Sequence, residues 1–291
     1  MLKRTKGEKI FAVFNTLFLT GMLIATLYPC LYVLFASISD PVELYSGSKI
    51  LLCPRGFNLT NYAHVLKNSM LWIGYRNTIF YTVAGTLLNV SLTIVAAYCL
   101  SRRGLPGKNF ILMAIVFTMY FSGGMIPTYL VVKNLHLLDK FAALILPGAI
   151  NTSNFIIMLS FFRGLPGELE EAAKIDGANN YLILIQVMIP LSKACIAVIA
   201  LYYAVEHWNS YMPGLLYINN MRKYPLQLVL REILLEGSAQ QNGVVSIDDA
   251  DAVAETIKYA TMVVSTVPML CVYPFIQRYF VKGVMIGAIK G

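Results

Sequence analysis

Charge is what this sequence has least of. Asp, Glu, Lys and Arg make up 13% of its 291 residues, about half the ~25% of an average soluble domain. That shortfall excludes an ordinary soluble globular chain. Histidine is scarce as well, with His64, His136 and His207 the full set. No H-E-x-x-H spacing marks a zinc hydrolase and no G-x-S-x-G marks a nucleophile elbow; no metal site or catalytic residue is expected. The five cysteines (Cys30, Cys53, Cys99, Cys195, Cys271) are scattered. They show neither a disulfide framework nor zinc spacing and read as small apolar side chains. The phosphate-cradling run G-x-x-x-x-G-K followed by Ser or Thr is missing, so nothing here is built to hydrolyse ATP. A net charge of +8 invites a nucleic-acid reading. No basic helix or aromatic-interleaved basic patch accompanies it, and basic loops on a membrane protein give the same total.

Long apolar runs are what the chain has instead, with 57% hydrophobic residues gathered in blocks. Several blocks reach the ~20 residues that cross a bilayer as a helix. The expected spans are about 12–37, 77–100, 109–132, 141–162, 188–217 and 259–281. Each should be helical, because an open sheet leaves backbone groups unpaired in lipid. The fold class is therefore an all-α membrane protein, with six transmembrane helices in one domain covering 1–291. Lys3, Arg4, Lys6 and Lys9 precede the first run as they would in a signal peptide. The stretch from Phe11 to Ile38 is too long for a signal core and is read as a span. Six spans put both termini on one side. Basic residues crowd the span ends on that side, through the Arg102/Arg103/Lys108 turn, Lys193, Arg278, Lys282 and Lys290, which marks it as cytoplasmic.

Two outside segments, 38–76 and 218–258, are long enough to carry structure of their own. The second combines a Gln240–Gly243 turn and the acids Asp248, Asp249, Asp251 and Glu255 with Leu226, Leu228, Val229, Leu230, Ile233, Leu234 and Leu235. The apolar set predicts a short interfacial helix. No internal repeat is visible, which removes support for an inverted-repeat transporter.

The 163–187 loop between the fourth and fifth spans is compact and charged. Pro166 suits a first helical turn. Glu168, Glu170 and Glu171 suit the positive end of a helix dipole. Glu170 and Lys174 stand four apart in the stabilising order, and Leu169, Ala172 and Ala173 form a small apolar stripe. Gly177 allows a sharp change of direction, and Asn179 or Asn180 can cap a second helix, Tyr181 to Ile189. Helix, bend, helix is either a peg for another protein's groove or an amphipathic connector on the lipid surface.

The string Glu171-Ala172-Ala173, then Asp176-Gly177-Ala178, then Ile189-Pro190 resembles the EAA loop of ABC-importer permeases. Its extended form from Pro166 to Ala178 is similar to the carbohydrate, MalG-like branch, and Tyr279 to Gly291 resembles the LplC/YtcP-type subset. The Trp208-Asn209 pair agrees, while Ala194 replaces a family proline, which bears on how the fifth span is entered. The resemblance implies a multi-pass permease of the bacterial cell membrane, with a cytoplasmic EAA coupling helix. Glu170, Glu171, Ala172, Ala173, Asp176, Gly177 and Ala178 would couple it to a cytoplasmic ATPase dimer. A second homologous permease and an extracytoplasmic sugar-binding protein would complete the importer. The chain would bind no cofactor itself; ATP and Mg would sit on the ATPase. The expected cargo is an oligosaccharide.

Polar residues inside apolar spans are functional candidates by default. Trp208 and Asn209, with Glu206 and the adjacent His207, suit a sugar pathway, since aromatic faces stack on sugar rings and polar groups bind hydroxyls. Tyr120, Asn151 and Asn154 are further candidates, near the Ser122-Gly123-Gly124 and Pro127 signals that should kink the third span. The competing view is that these groups join subunits or satisfy helix ends. An ATP-independent secondary transporter and a membrane-embedded hydrolase are the alternative functions.

Overall fold

The computed structural model describes residues 5–48, 50–102, 104–239, 253 and 255–271. Among them there are helices and connecting loops and no strand. Contacts gather in two compact units, one drawn from 1–69 and 230–267 and the other from 70–229 and the residues after 267.

The first unit opens with α1 (Lys6–Ser37). Its start is a capping box: the Glu8 N–H donates to Thr5 Oγ1 at 3.3 Å and the Thr5 N–H to Glu8 Oε2 at 2.8 Å. The helix thus begins several residues before the apolar run that announced it, because a polar cap sets a helix start and hydropathy does not. Its apolar side chains, Phe11 and Leu17 among them, are exposed, as lipid-facing groups are. Next come α2 (Pro41–Ser46) and α3 (Thr60–Lys67). Asp40 caps α2 by accepting from the Val42 N–H at 3.0 Å, and Asn58 Nδ2 donates to its other oxygen at 3.2 Å. Arg55 ties the loop together by donating to Ser48 Oγ at 2.7 Å and the Ile50 carbonyl at 3.0 Å. A helical stretch over 255–271 belongs to this unit up to 267, and its Tyr259 meets Tyr32 of α1 edge to face.

The second unit is built on α4 (Ser69–Ser101), which starts eight residues before the expected span. Arg76 and Asn77 lower the hydropathy there, yet buried Asn77 is fully used. Its Nδ2 donates to the Arg222 carbonyl at 2.8 Å and the Tyr224 carbonyl at 3.1 Å.

The expected third span is two helices, α5 (Lys108–Tyr120) and α6 (Met125–Asn134), bent by 116°. The break falls at Ser122-Gly123-Gly124, where the sequence signalled it. The fourth span is also two pieces, α7 (Ala142–Ile145) and α8 (Thr152–Gly164). Pro147 takes away a donor, and Asn151 restarts the chain by accepting from the Ser153 N–H at 3.0 Å. The 13 residues of α8 reach about 20 Å, short of the ~30 Å hydrocarbon core.

Then follow α9 (Glu168–Ile175), α10 (Asn180–Leu182), a π-helical turn (Ile183–Met188), α11 (Ile189–Leu191) and α12 (Lys193–Trp208). The run from Asn180 to Leu191 meets α12 at 84°. The chain continues through α13 (Tyr211–Tyr217) and α14 (Leu226–Ala239). The expected single helix over 188–217 is thus broken at Ser192 and again after Trp208. The short helix expected near Leu226 is present as α14, and its Leu226, Leu228 and Val229 are buried within the protein.

Among the described residues, two helices, α1 and α4, are long and apolar enough to cross a membrane, and four segments qualify if each bent pair counts as one. The stretch expected as the sixth span is described to 271; its remainder, the 279–291 tail, the Gln240–Gly243 turn and Asp248, Asp249 and Asp251 lie outside the described residues. The main core of the second unit joins α4, α8, the π turn and α12 through Ala97, Phe155, Met158, Ile183, Ile199 and Tyr203.

Candidate functional site

Helix α9 ends in a motif that only a left-handed residue completes. Asp176 is the last cap, and Gly177 follows at φ +81°. The Gly177 N–H donates to the Lys174 carbonyl at 3.0 Å and the Ala178 N–H to the Ala173 carbonyl at 2.9 Å. This crossed pair is a Schellman cap. Asn179 then caps α10 through the Leu182 N–H at 2.9 Å. The bend read from the sequence is therefore present, with Asn179 as its second cap. Pro166 stands just before α9 and not within its first turn.

The faces of α9 are sorted by burial. Ala173 and Ala178 pack against the core of the second unit. Glu170 is also turned inward. Its carboxylate pairs with Arg102 and, at 2.9 Å, with Lys174. Arg102 in turn lies over the Tyr98 ring, 4.4 Å from its centroid, a cation–π contact. Lys108 Nζ donates to the Arg102 carbonyl at 2.9 Å and so caps the end of α4. Glu171, Ala172, Leu169, Ile175 and Asp176 are left outside, with Ile175 86% exposed. The expected stripe is thus split: Leu169 and Ala172 face out, Ala173 in. Arg102 and Lys108 read in the sequence only as a basic turn; Arg103 lies outside the described residues.

The polar candidates of the spans divide in the same way. Tyr203, fully buried on α12, pairs its hydroxyl with Thr93 Oγ1 at 2.8 Å and accepts from the Asn151 N–H at 2.9 Å. Buried His207 meets Asn89 Nδ2 at 3.1 Å, and that amide reaches the Gly148 carbonyl at 3.3 Å. Two separate sets of bonds thus join α4, α12 and the α7–α8 break. Asn154 is buried beside them on α8, and Trp208 is buried near Tyr75, ring centroids 6.4 Å apart. Asn209 is exposed and closes α12 by donating to the Val205 carbonyl at 2.9 Å. Glu206 is exposed alongside Gly148. Tyr120, 75% exposed at the α5–α6 break, joins none of these contacts. Asn89, Thr93 and Tyr203 were missed in the sequence, although polar Asn89 and Thr93 in an apolar run were the signal to follow.

No family model matches the sequence. Curated relatives do. The chain is 43% identical to the protein LplC of Bacillus subtilis over 290 residues, 100% of this chain and 98% of that one. It is 43% identical to the polygalacturonan/rhamnogalacturonan transport system permease protein YtcP of the same organism, over 94% of this chain and 96% of the relative. Among solved structures, a chain of a bacterial ABC transporter involved in import of the acidic polysaccharide alginate superimposes with TM-score 0.86 at 33% identity. That match covers 96% of this chain and 100% of the other. The secondary-transporter and hydrolase readings find no support in these relatives. At this identity and coverage, with the EAA string folded into a capped helix, the chain belongs to the permease subunits of ABC-type sugar importers.

Proposed function

We propose that this chain is one half of a translocator that carries a uronate-containing oligosaccharide inward across the bacterial cell membrane. In this reading six segments cross the bilayer, with the bent pairs and the α7–α8 stretch each serving as one crossing, and both termini are cytoplasmic. Helix α9 lodges in a cleft of a cytoplasmic ATPase dimer, which holds the ATP and Mg. A second permease completes the pathway, and an extracytoplasmic binding protein delivers the sugar. The observation that carries the coupling role is the sorted α9. Glu170, Ala173 and Ala178 fix it to the body, while Leu169, Glu171, Ala172, Ile175 and Asp176 are left outside as a small apolar face with acidic edges. A groove accepts Ala-sized groups closely, and ATP-driven closure then acts on a rigid lever. Transport needs that bias, because a ligand shifts a conformational equilibrium only by its differential affinity for the two states.

The substrate class rests on YtcP, named for polygalacturonan and rhamnogalacturonan, and on the alginate importer. Polygalacturonan and alginate are polymers of uronic acids. Trp208, Asn209, Glu206, Tyr120, Asn151 and Asn154 are the pathway candidates; Asn151 and Trp208 act by shaping the α7–α8 break and the end of α12.

The test is affinity purification of the tagged chain from native membranes. A second permease and an ATPase should co-purify, and Ala172→Arg should release the ATPase while keeping the second permease. Full ATPase retention by that variant removes the coupling role. A screen of the associated binding protein should rank uronate oligomers above arabino-oligosaccharides, and the reverse order refutes the substrate class.

A further inference from the structure

A cavity of about 550 Å³ opens where α4 ends and α9 begins. Four cations line it: Arg102, Lys108, Arg163 and Lys174. The carboxylates facing it are Glu170 and Glu171. Glu170 is already shared between Arg102 and Lys174. Among the described residues, Lys108 and Arg163 have no carboxylate within ion-pair distance. Lys108 spends its ammonium on the open carbonyls of Ser101 and Arg102. The cavity therefore keeps a surplus of positive charge. Its floor is apolar, with Phe162 of α8 and Met188 of the π turn.

The position matters as much as the charge. The cavity lies at the C-terminal ends of α4 and α8, where apolar helix gives way to polar turn. In a membrane this is the headgroup level. Basic pockets between spanning helices at that level suit phosphate headgroups. Guanidinium groups such as Arg163 match phosphate oxygens two at a time. We propose that the cavity is a phosphate site occupied by the headgroup of an anionic phospholipid, with its glycerol end over Phe162. The lipid would bridge Arg163 of α8 and Lys108 of α5 beside the root of α9, and so stiffen the seat of that helix. The cavity shares Glu171 with the outward face of α9, so lipid binding is read first on the chain without its ATPase and then in the assembled transporter.

The experiment is native mass spectrometry of the purified full-length chain, titrated with phosphatidylglycerol, phosphatidylcholine or inorganic phosphate. Phosphatidylglycerol should bind preferentially, and Lys108→Gln/Arg163→Gln should weaken it tenfold or more, in line with the worth of two basic groups at an anionic surface. Lys193→Gln, an exposed lysine outside the cavity, should leave binding unchanged and so reports on nonspecific charge. Equal phosphatidylglycerol binding by the double variant overturns the proposal. Phosphate binding that competes fully with the lipid assigns the site to a free anion and overturns the lipid. Loss of the adduct in the assembled transporter, with Arg163 cross-linking to the ATPase instead, assigns the cavity to a protein contact and also overturns it.

Discussion

Gly177→Ala isolates one link in the coupling scheme. At φ +81° an L side chain is strained by its own backbone, at roughly 1–2 kcal/mol. Nothing lies within 4 Å of where the new Cβ would sit. A steric clash within this chain is thereby excluded, and the larger Asn at the same position separates backbone strain from a clash with a docked ATPase. The strain weakens the two bonds that end α9, from Gly177 to Lys174 and from Ala178 to Ala173. Released, the chain no longer holds α9 at its fixed angle to α10. With a tenfold change per ~1.4 kcal/mol, the competent conformation loses about 5- to 30-fold against the released one.

The assay is ATP-dependent uptake in proteoliposomes containing the whole transporter, with membrane insertion checked by protein recovery. Gly177→Ala should lower uptake within that range at unchanged insertion. Asn is enriched in the left-handed region and is the second choice at this cap, so Gly177→Asn should lose clearly less. Gly177→Pro should abolish uptake, because proline cannot reach positive φ and has no N–H to donate. Wild-type uptake by Gly177→Ala, or equal losses for Ala and Asn, refutes the reasoning.

Replacing Glu170 with Gln leaves Arg102 and Lys174 facing each other without a shared carboxylate; a double-mutant cycle of Glu170 and Arg102 should give a coupling near 1 kcal/mol by thermal unfolding. Gly85 marks a close approach: an added Cβ would come within 2.4 Å of His207 Nε2. Gly85→Ala should therefore cost about 1–3 kcal/mol, and His207→Ala should relieve most of that cost in the double variant, read as melting temperature in detergent. Asp139, in the turn after α6, accepts from the Asn220 N–H at 3.0 Å and the Asn219 N–H at 3.2 Å and pairs with Lys223. These bonds hold its carboxyl below the usual range, the Asn220 N–H contributing most. A depressed pKa adds stability that is complete above the unfolded value of about 3.9 and lost as pH falls through the folded one. Protection factors at Asn219 and Asn220, taken against the intrinsic exchange rate at each pH, should thus fall on acidification below about pH 4, and Asp139→Asn should show the lowered protection at neutral pH already.

How much of this was legible depends on the range of the interaction. The cap of α9 is local: Gly177, Lys174 and Asn179 lie within five positions, and the residue types alone announced the bend. The Glu170–Lys174 pair is equally local. Arg102 is 68 positions from Glu170, and no periodicity relates two such residues. Glu170 was therefore grouped with the ATPase-coupling residues, and its inward turn toward Arg102 was not foreseen.

The spans show the same division. Hydropathy is summed over a window, so it located the apolar blocks but not the breaks inside 141–162 and 188–217. The break in 109–132 was seen because its own residues, Ser122 to Gly124, carry it. The break before α8 depends on Asn151, whose side chain caps the helix while its N–H finds Tyr203, 52 positions away. The same logic explains Asn77. A window counts it as a cost, whereas two distant carbonyls, 145 and 147 positions away, satisfy it inside the unit. Irregular backbone at membrane depth persists only where protein or a water-filled cavity receives its polar groups. In this chain the receivers are polar side chains on neighbouring helices: Tyr203 and Asn89 answer the α7–α8 break. A polar residue within an apolar span thus predicts a partner elsewhere in the bundle, and here that partner is the backbone of a broken helix.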